Sequence, residues 1–321
     1  MGGFVKLQYG VFDRQYAPSA RDGALLDGEA HLNVADETDT GAAYGARLQL
    51  APAAKPRDNG SYIHAEWAWG QIRIGDYGGA AKELTISAPT IGVGQIDGDF
   101  DRLGAPSALI APYKLDNDDS VKLTYLSPVI LGFRAGVSYT PELSGGQIEI
   151  VRQRLVNRAA RHRNVVELAA SSARDIGDVA VTVSGAFVSG GSRPDSHLHD
   201  LAGGSAGLKV AWNGFIFGGG FVYDGAATLA GDDRPGHRMI DSIVDEINLG
   251  LAYESGRWKV GASWAHDDRN AAQSSDIAAI GVDYRAFQGV TFSADLARFT
   301  EPRPLAIRER TALIVETALH F

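Results

Sequence analysis

The side chains of this chain with chemistry to offer are mainly carboxylates and guanidinium groups, gathered in separate stretches. Between residues 76 and 119 lie Glu83, Asp97, Asp99, Asp101, Asp116, Asp118 and Asp119; between 152 and 163 lie Arg152, Arg154, Arg158, Arg161, His162 and Arg163. Asp97-Gly98-Asp99-Phe100-Asp101 opens like a calcium loop. An EF-hand, however, needs Gly at its sixth position and a bidentate Glu at its twelfth. Those positions hold Arg102 and Ala108, so that motif fails. Loosely bound Ca2+ in the acidic stretch stays open, beside the plainer reading of a negatively charged loop tip. No other cofactor and no dedicated metal centre are expected. The arginine run suits a contact with surface phosphate groups or a funnel that enriches anions; a solvated helical turn is the plain alternative.

Catalysis finds less support. His197 and His199 stand near Ser192 and Ser196, but in a stretch rich in Gly, Pro and Asp. A nucleophile needs its base held within hydrogen-bond reach, which sequence proximity on a loop does not provide. The same two histidines are no better as a metal pair than as surface residues. Gly218-Gly219-Gly220 lacks the Lys-Ser/Thr of a phosphate loop and reads as a bend or a close backbone approach within a strand. With no Cys, disulfides, thiolate zinc and thiol chemistry are excluded. A net charge of −9 argues against a nucleic-acid partner. The chain is therefore not expected to be an enzyme.

The elements that must position these charges are strands. No stretch reaches the roughly 18 to 20 apolar residues of a membrane helix, but a membrane strand needs only about 10, half of them facing water. The clearest case is Arg310–Phe321, where Leu313, Val315, Thr317, Leu319 and Phe321 share one face and Glu316, Ala318 and His320 the other. The same period of two recurs about sixteen times, as in Phe4–Gln15, Leu25–Ala35, Ala43–Ala51, Phe133–Tyr139, Ile247–Tyr253, Trp258–Trp264, Ile280–Arg285 and Val290–Ala297. Connections alternate. Short ones fall at Asp36–Thr40, Trp69-Gly70, Ser127–Leu131, Arg174–Asp178, Asn213-Gly214, Ser255–Arg257 and Ala286–Gly289. Long ones fall at Ala17–Asp22, Pro52–Ser61, Asp76–Asp119, Pro141–Asn164, Ser189–Gly204, Gly225–Ile243, Asp267–Ser275 and Thr300–Arg308.

One rim of tight turns and one of long loops mark an up-and-down antiparallel barrel. One face of the strands carries aliphatic residues, with Tyr9, Tyr44, Trp67, Trp212, Tyr253, Trp258, Trp264 and Tyr284 near strand ends, as in interfacial aromatic girdles. The other carries Lys6, Arg14, Asp27, Glu29, His31, Arg47, His64, Arg73, Arg134, Asp283, Asp295 and Glu316. A soluble sandwich of so many strands would leave edges to protect, whereas closure removes them. The fold class is all-β: one transmembrane barrel over residues 1–321. The opening Met1-Gly2-Gly3 shows no signal peptide, so the numbering is expected to follow a mature or recombinant form.

Three passages carry a family resemblance: Gly2-Gly3-Phe4-Val5-Lys6-Leu7, the hairpin Glu29–Leu50, and Trp69-Gly70-Gln71-Ile72-Arg73-Ile74-Gly75-Asp76. Together with the strand pattern they resemble the sixteen-stranded, trimeric general-diffusion porins of the bacterial outer membrane, of the proteobacterial and Rhodobacter-like type. The N-terminal strand reads as starting late for that family, and Leu143–Arg163 is richer in arginine than the loop it would match. The resemblance implies that 76–119 is a loop folded into the lumen to constrict it. Its seven acids would face a basic wall of Lys6, Arg14, Arg47, Arg73 and Arg134. It also implies a homotrimer, small hydrophilic solutes as permeants, and a terminal Phe321 read by the barrel-assembly machinery. Outer-membrane lipid would surround the barrel, and lipopolysaccharide phosphates would meet Arg152, Arg154, Arg158, Arg161 and Arg163. The expected activity is passive diffusion. A substrate- or anion-selective channel and a non-conducting structural or adhesive barrel are the alternatives.

Overall fold

A computed structural model describes residues 2–13, 23–50, 60–94, 96, 120–143, 162–192, 200–228, 241–269, 275–303 and 306–321. Sixteen strands form one closed sheet: β1 (Gly2–Phe12), β2 (Gly23–Glu37), β3 (Ala43–Leu50), β4 (Ser61–Trp67), β5 (Gly70–Asp76), β6 (Val121–Leu126), β7 (Phe133–Glu142), β8 (His162–Ile176), β9 (Val179–Ser192), β10 (Leu201–Trp212), β11 (Phe215–Thr228), β12 (Asp241–Ser255), β13 (Trp258–Arg269), β14 (Ser275–Phe287), β15 (Val290–Arg303) and β16 (Ala306–His320). Each pairs antiparallel with its neighbours in sequence, and β1 pairs with β16 to close the ring. At the seam Phe4 faces His320, and the N–H groups of Gly3 and Phe321 donate to each other's carbonyls at 2.9 and 3.1 Å. Closure leaves no unpaired edge. A single short helix, α1 (Ala80–Leu84), interrupts the described strands.

The period of two in the sequence is a period of two in exposure. On β1, Val5, Leu7, Tyr9 and Val11 are exposed while Gln8, Gly10 and Phe12 are buried; on β16, Leu313, Val315, Thr317 and Leu319 are exposed while Arg310, Ala312, Ile314, Glu316 and Ala318 are buried. A hydrocarbon-facing surface explains why so many large apolar side chains lie outside. Aromatic pairs mark the rim of tight turns: Trp67 stacked on Trp69 at 4.9 Å, with Phe215 tilted against Tyr253 at 4.6 Å and Trp258 against Tyr284 at 4.5 Å. On β13 Trp258 and Trp264 are six residues apart, about 20 Å at strand rise, which brackets most of a ~25 Å apolar band.

The strands exceed the expected bounds on the long-loop side. Thr300–Arg308, read as a loop, is mostly a paired ribbon in which Thr300 faces Glu309 and Arg303 faces Ala306. Strand also replaces expected loop in Pro141–Asn164, Ser189–Gly204, Gly225–Ile243 and Asp267–Ser275, at both ends of each. The physical reason is that pairing continues where the apolar band ends. The sequence there has no period of two to read, so the alternation that signals a strand disappears. β1 begins at Gly2, earlier than expected.

Candidate functional site

The inward face of the barrel is where charge and backbone meet. Tyr77 to Gly94 runs past strands β6 to β15 in order, and wall side chains hold it at nearly every step. Lys122 Nζ on β6 donates to the Tyr77 carbonyl at 2.7 Å. The N–H groups of Ala80 and Ala81, at the start of α1, donate to Ser138 Oγ on β7 (2.7 Å) and Glu167 Oε2 on β8 (3.0 Å). Ile86 N–H donates to Ser184 Oγ on β9 at 2.9 Å and Ala88 N–H to Asn248 Oδ1 on β12 at 2.8 Å. Gly92 N–H donates to Asp283 Oδ2 on β14 at 3.1 Å, and Gly94 N–H to Asp295 Oδ2 on β15 at 2.7 Å. Buried acceptors and donors thus satisfy each other along an otherwise irregular segment.

Glycines make room for it. A Cβ on inward-facing Gly207 would sit 2.0 Å from the Ile86 carbonyl oxygen, and Cβ atoms on Gly218 and Gly220 would sit 2.9 and 3.0 Å from the carbonyl oxygens of Ser87 and Ile86. The Gly218-Gly219-Gly220 run therefore marks a close backbone approach. Gly92 turns the segment at φ +67°, beside the Asp295 carboxylate. Inward-facing apolar residues cover its far end, with Ala88, Val93 and Ile96 packed among Phe12, Ala265, Ile277, Ala279, Phe299 and Ile314. The inward face is thus less uniformly polar than the alternation implied.

The basic residues are spread out. Arg73 Nη1 on β5 pairs with Glu83 Oε1 of α1 at 2.9 Å, Nε donates to Gln71 at 2.6 Å, and the guanidinium lies over the Tyr62 and Tyr77 rings at 5.4 and 5.7 Å. Arg73 and Glu83 are thus direct partners instead of opposed walls. Arg47 Nη2 on β3 donates to His31 Nδ1 at 3.0 Å, and His31 Nε2 contacts Glu29. This chain of contacts calls for the tautomer with its proton on Nε2. Among the described residues Arg47 has no carboxylate partner. Lys6 on β1 lies over the Phe4 ring at 5.1 Å and in register with Asp27 of β2. Arg134 is set apart at the tight-turn rim, where Nε donates to the Ser127 carbonyl at 3.2 Å.

Arg163 belongs to β8 rather than to a loop, in register with Glu142 and beside a bulge. Arg14, Asp97, Asp99, Asp101, Asp116, Asp118, Asp119, Arg152, Arg154, Arg158 and Arg161 lie outside the described residues. Sequence reading missed the anchoring role of Ser138, Glu167, Ser184, Asn248, Asp283 and Asp295. Alternation places each on the inward face, and nothing in one strand says what it will meet there. The one available signal was the inward glycines on consecutive strands.

The sequence matches the Gram-negative porin family over residues 1–302. The chain belongs to that family. Curated protein sequences yield no match. Solved structures agree on the fold of this porin. The anion-selective porin from Comamonas acidovorans superposes with a TM-score of 0.65 at 15% identity, covering 100% of this chain and 98% of that one. OmpT of Vibrio cholerae, in a trimer form, gives 0.63 at 11% identity with 100% and 98% covered. A variant of the Rh. blastica porin gives 0.61 at 15% identity with 100% and 99% covered. The porin is a passive diffusion channel of the bacterial outer membrane. Family and fold are those of channels.

Proposed function

We propose that this porin passes small hydrophilic solutes through a lumen narrowed by the 76–119 loop, between that loop and the wall bearing Lys6, Arg14 and Arg47, with Arg73 tying the loop to its own side of the barrel. The reading rests on one observation, the row of hydrogen bonds by which residues 77–94 engage inward side chains from β6 to β15. Carboxylates of the loop facing guanidinium groups on the wall set up a transverse field. Such a field orients water and disfavours large apolar solutes while small polar ones pass. Transport is passive, with no turnover. Single-channel recording in planar bilayers tests this: a large ohmic conductance that no single solute saturates is expected, and a silent protein would overturn it in favour of a structural or adhesive barrel.

Arg47 favours a second reading, an anion preference, because its charge meets a histidine and no carboxylate among the described residues. The anion-selective Comamonas neighbour is compatible with it. A homotrimer is the assembly we propose, in line with the trimer form of the Vibrio neighbour. Arg152, Arg154, Arg158, Arg161 and Arg163 are proposed to meet lipopolysaccharide phosphates, and the acidic residues of 97–119 to hold Ca2+ loosely. Phe321 is proposed as the residue read by the assembly machinery.

A further inference from the structure

The β6–β7 turn carries more large aliphatic side chains than the other described turns of its rim. Those at 68–69, 177–178, 213–214, 256–257 and 288–289 are Ala-Trp, Gly-Asp, Asn-Gly, Gly-Arg and Gln-Gly, and 38–42 is Thr-Asp-Thr-Gly-Ala. Residues 127–132 read Ser-Pro-Val-Ile-Leu-Gly, with three such side chains in a row and no charge. Val129, Ile130 and Leu131 are 64%, 62% and 79% exposed. Leu131 moreover holds φ +50°, a conformation that Gly or Asn adopts readily and a bulky residue seldom does. Solvation argues against three exposed aliphatic side chains in a row if water surrounds them, and leucine at 131 is kept despite its backbone cost.

The turn is also held in shape by several local hydrogen bonds. Ile130 and Phe133 exchange both N–H···O bonds at 2.9 Å, Ser127 N–H donates to Ala135 O, and Ala135 N–H donates to Ser127 Oγ. Ser127 Oγ donates to Pro128 O, Ala173 N–H to Gly132 O, and Pro128 has no N–H to satisfy. The apolar tip continues into the outward-facing girdle through Phe133, Trp69, Trp67 and Ile176, all exposed.

We propose that residues 128–131 dip into the lipid of the inner, periplasm-facing leaflet and anchor this side of the barrel there. The occupant is a lipid surface, because the tip is continuous with the membrane-facing band and carries no charge of its own. Since the chain has no Cys, single variants give unambiguous labels. Ile130→Cys, with Asn213→Cys in a polar turn of the same rim as reference, would be spin-labelled and reconstituted in phosphatidylethanolamine–phosphatidylglycerol liposomes. Position 130 should collide with dissolved oxygen severalfold more, and with a water-soluble nickel chelate severalfold less, than position 213. Chelate collision equal to that at 213 would mean that water surrounds the tip, and low collision with both reagents would mean a protein contact; either overturns the proposal. A second variant, Val129→Ser with Leu131→Asn, keeps the turn. It should retain its stability in detergent while its folding into liposomes falls severalfold, and equal folding in both would also refute the anchor.

Discussion

Replacing Gly207 with Ala probes the arrangement of 77–94 more directly than any charge substitution. The added Cβ would stand 2.0 Å from the carbonyl oxygen and 2.8 Å from the carbonyl carbon of Ile86, both backbone atoms. Ordinary contact begins at 3.4 Å, so about 1.4 Å of separation must be found. Strand β10 cannot supply it, because it is laddered to β9 and β11 along its length. The segment must therefore retreat from the wall, breaking the 2.9 Å bond from Ile86 N–H to Ser184. That loss costs about 1 kcal/mol, within the roughly 1–3 kcal/mol typical of overpacking, so the barrel should still fold. A retreat from the wall is a move toward the lumen axis, and single-channel conductance should fall. Gly218→Ala and Gly220→Ala need only about 0.5 and 0.4 Å, from contacts of 2.9 and 3.0 Å, and should do correspondingly less. Gly185→Ala, whose nearest neighbour would be 3.7 Å away, should do nothing. Wild-type conductance in Gly207→Ala, or equal effects across the series, would refute a lumen-side segment.

Other outcomes follow from the same geometry. Arg47→Ala should shift the zero-current potential in a salt gradient toward cation selectivity, and an unchanged potential would remove Arg47 from the permeation path. Arg73→Ala should shift it the same way and also free Glu83, so that Arg73→Ala with Glu83→Gln lies closer to wild type than the single variant. Asp295→Ala removes the acceptor of Gly94 N–H and should raise current noise, as measured in long single-channel recordings, without changing heat-modifiable gel migration. Phe321→Asp puts a charge at the end of the β1–β16 seam and should lower the yield of folded trimer, read by gel migration before and after boiling; normal yields would contradict its proposed role.

Amino-acid order by itself determined the closed sheet and its two faces. Side-chain direction alternates strictly along a strand, so Leu313, Val315 and Leu319 were legible as outward and Glu316 as inward without any knowledge of neighbours. Short turns such as Asn213-Gly214 were legible for the same local reason, since left-handed backbone conformations favour those residues. What the tertiary structure decided is which inward side chains meet which part of 77–94. Ser184 and Ile86 are 98 residues apart, Asp295 and Gly94 201 apart. Their pairing depends on strand stagger around the ring and on the path of an irregular segment, neither of which has a period to read. The same limit explains why Arg73 looked like one wall and Glu83 the other, when folding makes them a pair. Alternation reports the direction a side chain points, and only the closed ring brings something to meet it.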